Sequence, residues 1–454
     1  MTAAYPHSCR RPVGIAARVP YAASTLAAPS CFATTLPRHG RPLTIEITAP
    51  PQQSRRPATL AILGLGTTQI IGWGTSFSPI TIYGTLIGDE LGMSRETVFS
   101  GITVMLLVSA LIAPRVGRIV DHRGARPVMI TGSIIAALSM LAMWRAHGHA
   151  SYFFAWTLIG LAMPMMLSNT ALPGLVQVVG PNARRSITAL MLINGLTSTI
   201  FLPLCAWLVT VIGWRDSYLI FAALHIFVCV PIHALVLRPL GGTAAVSSQG
   251  SRAPEGVLPP HRRRAAFIML AIWACTEGLI TWGLYMQVID VFKAMGLSGV
   301  AAVGLWALVG PAQAMARFTD LVFGGRYSIF AVAIASASLS SLSFLFVLPF
   351  GFSLTSTALF CICLGVGHGL FAVARNTLPL ILFGAKEYGA YMGLLMVPQN
   401  IVNAASPIIV AAAISRIHPV SALWIAGVGA ITGLGAVLAL VRICRGHAIV
   451  HPKD

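Results

Sequence analysis

The sequence predicts an all-α membrane protein with twelve transmembrane helices in two pseudo-symmetric six-helix bundles. Three observations carry this. Of 454 residues, 56% are hydrophobic and only 9% are charged, against about 25% charged in a typical soluble domain, so lipid must solvate most of the surface. Twelve apolar segments follow Leu60, each near or above the roughly 20 residues that a helix needs to cross hydrocarbon. A loop signature, Gly117-Arg118-Ile119-Val120-Asp121-His122-Arg123-Gly124-Ala125-Arg126-Pro127, is echoed in the second half by Arg317-Phe318-Thr319-Asp320 and Gly324-Gly325-Arg326, as expected of a chain built by duplication.

Residues 1–58 hold seven Arg and one acidic residue, Glu46, with no continuous apolar stretch. The missing apolar h-region excludes a secretory signal. A disordered basic tail or an upstream start codon is expected in preference to an organellar transit peptide. The apolar segments span 60–86, 97–117, 126–145, 151–178, 186–212, 216–238, 265–292, 298–322, 327–348, 354–383, 388–415 and 419–442. They must be helices, because a lone helix satisfies its own backbone in lipid. The resulting organisation is a first bundle at 59–238, a central Gly-, Ser- and Pro-rich loop at 239–263, a second bundle at 264–445 and a tail at 446–454.

Lys and Arg set the orientation. Seventeen, among them Arg115, Arg118, Arg123, Arg126, Arg184, Arg185 and Arg262 to Arg264, fall on one side, and only Arg95, Arg145, Arg215, Lys293 and Arg416 on the other. This asymmetry puts both termini in the cytoplasm and makes the net charge of +18 a topology signal, so nucleic acid is not an expected partner. The halves also share Asn169-Thr170-Ala171-Leu172-Pro173 with Arg375-Asn376-Thr377-Leu378-Pro379. Parallel repeats of this kind rock around a midplane site in secondary transporters. The eight cysteines lack CxxC spacing and read as small buried hydrophobes.

The loop pattern of Gly, three spacers, Asp and a basic closing turn resembles the loop between the second and third helices of the major facilitator superfamily, a family of secondary transporters. Gly72-Trp73-Gly74 and Gly213-Trp214-Arg215 resemble its bacterial branch related to monocarboxylate transporters. The chain departs from the loop pattern at His122 and Ala125, which leaves the exact charge pairing open. The resemblance implies a conformational gate formed by Gly117, Arg118, Asp121, Arg123, Gly124 and Arg126, with Arg317 and Asp320 in its second copy. Asp121 can cap a neighbouring helix N-terminus or pair with Arg118 or Arg126, and the resemblance gives it the role of latching the halves on the cytoplasmic side. Alternatively, the arginines only enforce topology.

Ionisable groups at membrane depth need a partner or a wet cavity. Glu277 lies about 12 residues into its segment, roughly 18 Å deep, and Arg375 about eight residues, roughly 12 Å, from the same side. The two could form an ion pair or share a site. Glu277 serves proton coupling or substrate binding, unless it is a static interhelical pair. Arg375 binds an anion or takes part in coupling, unless it snorkels, and His368 shares its helical face. Arg317, four residues after Gln313, could hold a substrate carboxylate as in monocarboxylate carriers, although its place in the signature favours the gate. Asn376, Asn194 and Asn400, with Asn403, Gln399, Tyr285, Gln287 and Tyr83, could face the cavity or bond between helices. His225 and His233 flank Cys229 at helical spacing with no fourth ligand, so no metal site is expected. Pro164, Pro173, Pro203, Pro379, Pro398 and Pro407 read as kinks.

No P-loop, HExxH, GxSxG or dinucleotide fingerprint occurs in a suitable context, so neither an enzyme nor a cofactor is expected. The expected function is secondary active transport of a small organic solute, a monocarboxylate or other organic anion, by alternating access with proton coupling or exchange. The alternatives are proton-driven multidrug efflux and a nontransporting membrane sensor. The expected setting is a bacterial inner membrane, with a monomeric carrier whose partners are the bilayer, the solute and protons.

Overall fold

The computed structural model describes residues 55–180, 183–237, 256 and 258–445. The tail before Arg55, most of the central loop and the tail from 446 onward lie outside the described residues. Hydrocarbon offers the backbone no hydrogen-bond partner, and among the described residues every element is helical.

The first half comprises α1 (Arg55–Leu91), α2 (Arg95–Arg123), α3 (Ala125–Trp144), α4 (His149–Met166), α5 (Ser168–Val179), α6 (Ala183–Asn194), α7 (Thr197–Leu224) and α8 (Val230–Val236), with a π-helical turn at His225–Cys229 before α8. Helix α7 serves two crossings. At Gly213 its backbone takes φ 79° and ψ 170°, a conformation open to glycine, which ends the fifth crossing and starts the sixth. The second half comprises α9 (Pro260–Gly278), a π-helical turn at Leu279–Leu284, α10 (Val288–Ala294), α11 (Gly299–Trp306), α12 (Val309–Phe323), α13 (Ile329–Val347), α14 (Leu354–Phe383), α15 (Tyr388–Arg416) and α16 (Ser421–Cys444). Among the described residues, ten helical stretches are long and apolar enough to cross a membrane, the one at Ala183–Val236 turning back at Gly213, and α9 already starts at Pro260.

Several segments that read as continuous are broken. The fourth crossing divides at Leu167, which is extended (φ −90°, ψ −169°). The freed groups find partners: Gln69 of α1 donates to the Met166 carbonyl at 2.8 Å, and the Thr170 hydroxyl donates to that of Pro164 at 2.7 Å. The fifth crossing divides at Gly195 and Leu196, where the Thr197 hydroxyl donates to the Asn194 carbonyl at 2.7 Å.

The two halves meet chiefly where α2 lies along α15 and where α6 faces α12. Between lipid-immersed helices, small residues allow the close packing that replaces a hydrophobic drive. Tyr388 and Met392 of α15 are fully buried in a first-half cluster with Val116, Val120 and Leu175. The α2–α3, α5–α6, α12–α13 and α14–α15 connections share one end of the bundle, the basic end, where Arg118, Arg123, Arg185, Arg326 and Lys386 are exposed.

Candidate functional site

At the basic end, α2 closes on α15. A Cβ on Gly117 would fall inside contact distance of the Gly389 carbonyl, 2.8 Å from its carbon, so glycine is what lets the helices touch. One turn later, Asp121 accepts hydrogen bonds from the Gly389 and Ala390 amides at 2.8 and 2.7 Å. These amides open α15, where unpaired N–H groups and the helix dipole favour a negative charge. Of the partners open to Asp121, the structure has the helix N-terminus and neither Arg118 nor Arg126. Arg118 and Arg123 are exposed, and Arg126 is half-buried. Gly124 makes the tight turn into α3 at φ 82°. Gln177 of α5 fastens that turn, accepting from the Ala125 amide at 3.1 Å and donating to the Val120 carbonyl at 3.2 Å.

The second copy of the signature engages α6. Asp320, 2% exposed at its side chain, accepts from Arg184 at 3.0 Å and from the Thr188 hydroxyl at 2.9 Å. Arg184 also donates to the Tyr327 carbonyl at 2.7 Å. Arg317 turns away from this cluster. It donates to Gln313 at 3.1 Å and, across the halves, to the Met191 carbonyl at 3.4 Å, just before the break in the fifth crossing. Asn194 sits at that break, its side chain accepting from Thr197 at 3.2 Å.

Deeper in the membrane, Glu277 does not meet Arg375. Because α9 starts at Pro260 rather than near 265, Glu277 stands 17 residues, about 26 Å, from that end, level with His368 at about 22 Å and well beyond Arg375 at about 12 Å. The Glu277 carboxylate is 2% exposed and 3.7 Å from His368 Nδ1, with its Oε2 lacking any hydrogen bond. The Thr281 hydroxyl lies 3.4 Å from the same His368 nitrogen, and the Tyr285 ring packs 5.7 Å from the imidazole.

Arg375 is 9% exposed and donates to the Asn376 side chain at 2.7 Å and to Gln399 at 2.6 Å, while its Nε has no partner. Gln399 lies 11 residues into α15, about 17 Å from the basic end, so the guanidinium reaches inward rather than snorkelling. Asn376 in turn donates to the Met191 sulfur at 3.3 Å. Met191 therefore has Arg317 at its carbonyl and the Asn376–Arg375 group at its side chain. Among the described residues, no carboxylate lies within ion-pair distance of Arg317 or Arg375. Asn400 ties α15 to α2 through the Leu106 carbonyl at 3.3 Å. Phe77 and Trp282 meet between the halves as tilted rings, their centroids 5.4 Å apart. His225 and His233 bond to Thr75 and Ser133 at 2.9 and 3.2 Å.

The family model of the Major Facilitator Superfamily matches residues 65–407. The chain belongs to the Major Facilitator Superfamily. Monocarboxylate transporter 4 of Rattus norvegicus is 27% identical over 245 residues, which is 50% of this chain and 49% of that protein. The Mus musculus protein of the same name is 28% identical over 247 residues, with the same shares. An uncharacterized 38 kDa protein in the 23S RNA operon of Thermoproteus tenax is 28% identical over 156 residues, 34% of this chain and 41% of that protein. The chain thus matches about half the length, or less, of these relatives. Among solved structures, the human organic anion transporter MFSD10 (TETRAN) superposes with a TM-score of 0.63 at 17% identity, covering 86% of this chain and 100% of that one. That likeness carries the fold.

Within this Major Facilitator Superfamily fold, Arg184 has a structural partner beyond the topology role its position predicts, and Gln177, Thr188 and Trp282 join the site without a motif to mark them. The signal for Thr188 was present in the sequence, since Arg184 and Thr188 are four residues apart and share a helical face. Nothing local marks Trp282, whose indole N–H reaches from its π-helical turn to the Asn403 side-chain amide of α15 at 3.1 Å.

Proposed function

We propose that this integral membrane transporter carries a small organic anion, a monocarboxylate in the first instance, by alternating access coupled to protons or to exchange. The reading rests on one observation: the Arg375 guanidinium is buried with only amide oxygens as partners. A buried charge without a counter-charge is costly, and a carboxylate entering from solution would supply the missing charge and bond to the free Nε. Arg317, likewise without a carboxylate, adds a second positive group beside Met191. The monocarboxylate transporter 4 relatives and the organic anion transporter with the same fold agree in substrate class.

In this reading Glu277 and His368 take the coupling proton, and Asn376, Asn194 and Asn400 line or brace the path. Asp121 and Asp320, with Gly117, Arg118, Arg123, Gly124 and Arg126, form the gate on the cytoplasmic side of a bacterial inner membrane, with both termini cytoplasmic. The bundles correspond to 59–238 and 264–445, joined through 239–263. The test is uptake of labelled monocarboxylates by the full chain in proteoliposomes, beside Arg375→Gln and Arg375→Lys. A lost charge-assisted bond is worth about 1.5–3 kcal/mol, so Arg375→Gln should lower uptake efficiency roughly tenfold to a hundredfold, and Arg375→Lys less. Carboxylate uptake indifferent to Arg375, or transport confined to hydrophobic cations, would overturn the assignment.

A further inference from the structure

Outside the central site, a crevice of about 420 Å³ opens between α12, α13 and α14 toward the bilayer. Met315 and Ala316 of α12, Ala331 and Ala335 of α13, and Val366 and Leu370 of α14 form its walls. Met315, Ala331 and Ala335 are exposed, so the crevice faces lipid. Along α13 its walls run from Ala331 to Ala335, four residues or about 6 Å, under half of the roughly 15 Å of hydrocarbon in one leaflet. Thr319, Asp320 and Tyr327 also line it, but the Asp320 oxygens are already bonded to Arg184 and Thr188 and the Thr319 hydroxyl to the Met315 carbonyl, so the surface left is mainly apolar and suits an acyl chain better than water. Apolar fit alone does not select an occupant from a bilayer, because lipid tails are as apolar as the walls.

Charge at the mouth supplies the selection. The turn at Gly324–Arg326 runs directly into Tyr327, which lines the crevice. Arg326 is exposed and stacks on Phe323 at 5.3 Å. Arg185 of the first half is also exposed, and its Nη2 would lie 3.1 Å from a Cβ on Gly325. Arg184 is already engaged, since it pairs with Asp320, and the Asp320 oxygens are taken by Arg184 and Thr188. Arg185 and Arg326 therefore present two positive charges, one from each half, at the turn that leads into the crevice residue Tyr327. Basic pockets between transmembrane helices bind anionic headgroups.

We propose that an anionic phospholipid of the adjoining leaflet seats an acyl chain in this crevice and its phosphate between Arg185 and Arg326. Because the two arginines belong to opposite halves, the full site exists only while the halves are closed at the basic end. The lipid then stabilises that state by the difference in its affinity for the closed and open forms. This holds whatever solute the carrier moves.

The test is native mass spectrometry of the full chain after exchange into phosphatidylglycerol or phosphatidylcholine of identical acyl chains. Phosphatidylglycerol should be retained in preference, and Arg185→Gln and Arg326→Gln should each weaken that preference about fivefold. Ala335→Trp, which fills the crevice from its lipid side, should release both lipids. The exposed arginine variants keep the test decisive if Ala335→Trp does not fold. An unchanged phosphatidylglycerol preference in both arginine variants would sink the proposal. Equal thermal stabilisation by inorganic phosphate would do the same, by making the arginines a site for soluble anions.

Discussion

Replacing Gly117 with Ala tests the latch through geometry rather than charge. The added Cβ would lie 2.8 Å from the Gly389 carbonyl carbon and nearer still to its oxygen, where ordinary contact begins at 3.4 Å. Helix α2 must withdraw from α15 by at least the 0.6 Å that separates those two distances. The Asp121 bonds to Gly389 and Ala390, 2.8 and 2.7 Å long, are then stretched past the roughly 3.2 Å limit of a good N–H···O bond. Two charge-assisted bonds at about 1.5–3 kcal/mol each, partly replaced by water, leave a net shift of about 3 kcal/mol, more than a hundredfold in the closed-to-open ratio. The assay is pulsed electron paramagnetic resonance on a cysteine-free full chain with spin labels at the exposed positions Arg118 and Lys386. The parent should give one short distance, and Gly117→Ala a dominant longer one. A folded Gly117→Ala protein with the parent's distance distribution would refute the reasoning.

Three further outcomes follow from the same geometry. Arg184→Gln leaves the buried Asp320 carboxylate with Thr188 alone and should shift the same label distances toward the open state by about 2 kcal/mol, roughly thirtyfold; no shift would mean that the second signature copy is not a latch. Glu277→Gln and His368→Gln remove the two ends of the 3.7 Å pair, so each should abolish uptake driven by a pH gradient while solute counterflow continues; counterflow lost together with driven uptake would assign the pair to substrate binding instead. Glu387→Gln breaks a 2.7 Å bond to Arg263, but the Glu387 side chain is 50% exposed, so the cost should stay under about 1 kcal/mol and the melting temperature should barely move.

Hydropathy made the crossings legible because each apolar segment has to pass hydrocarbon whatever its neighbours do. The breaks are hidden because some of the groups that satisfy them are remote: at the extended Leu167, the Met166 carbonyl is held by Gln69, far away in sequence. The loop leaves Asp121 a choice between a helix cap and Arg118 or Arg126, and the choice is made by the α15 amides that packing brings to it. Glu277 is buried, but its neighbour is His368 rather than Arg375, because a shift of five residues in the start of α9 moves it more than a helical turn. Which way a side chain faces around a helix axis depends on packing. Neither the turn of Arg317 toward Met191 nor the reach of Arg375 to Gln399 could be read from spacing.

The duplicated signature has produced two contacts with different mechanical properties. Asp121 holds backbone amides, which every sequence possesses, so its demand falls on shape: glycine is needed at Gly117 and at Gly389, where a Cβ would stand 2.6 Å from the Asp121 carboxylate. Asp320 holds a guanidinium and a hydroxyl, so its demand falls on residue type, and Arg184 spans the gap on a flexible arm. A displacement of an ångström therefore breaks the first contact outright, whereas the arginine can follow the second. Electrostatic attraction falls off slowly with distance and hydrogen bonding steeply. The α2–α15 contact should accordingly set the threshold for parting the halves, with the α6–α12 contact guiding them back together.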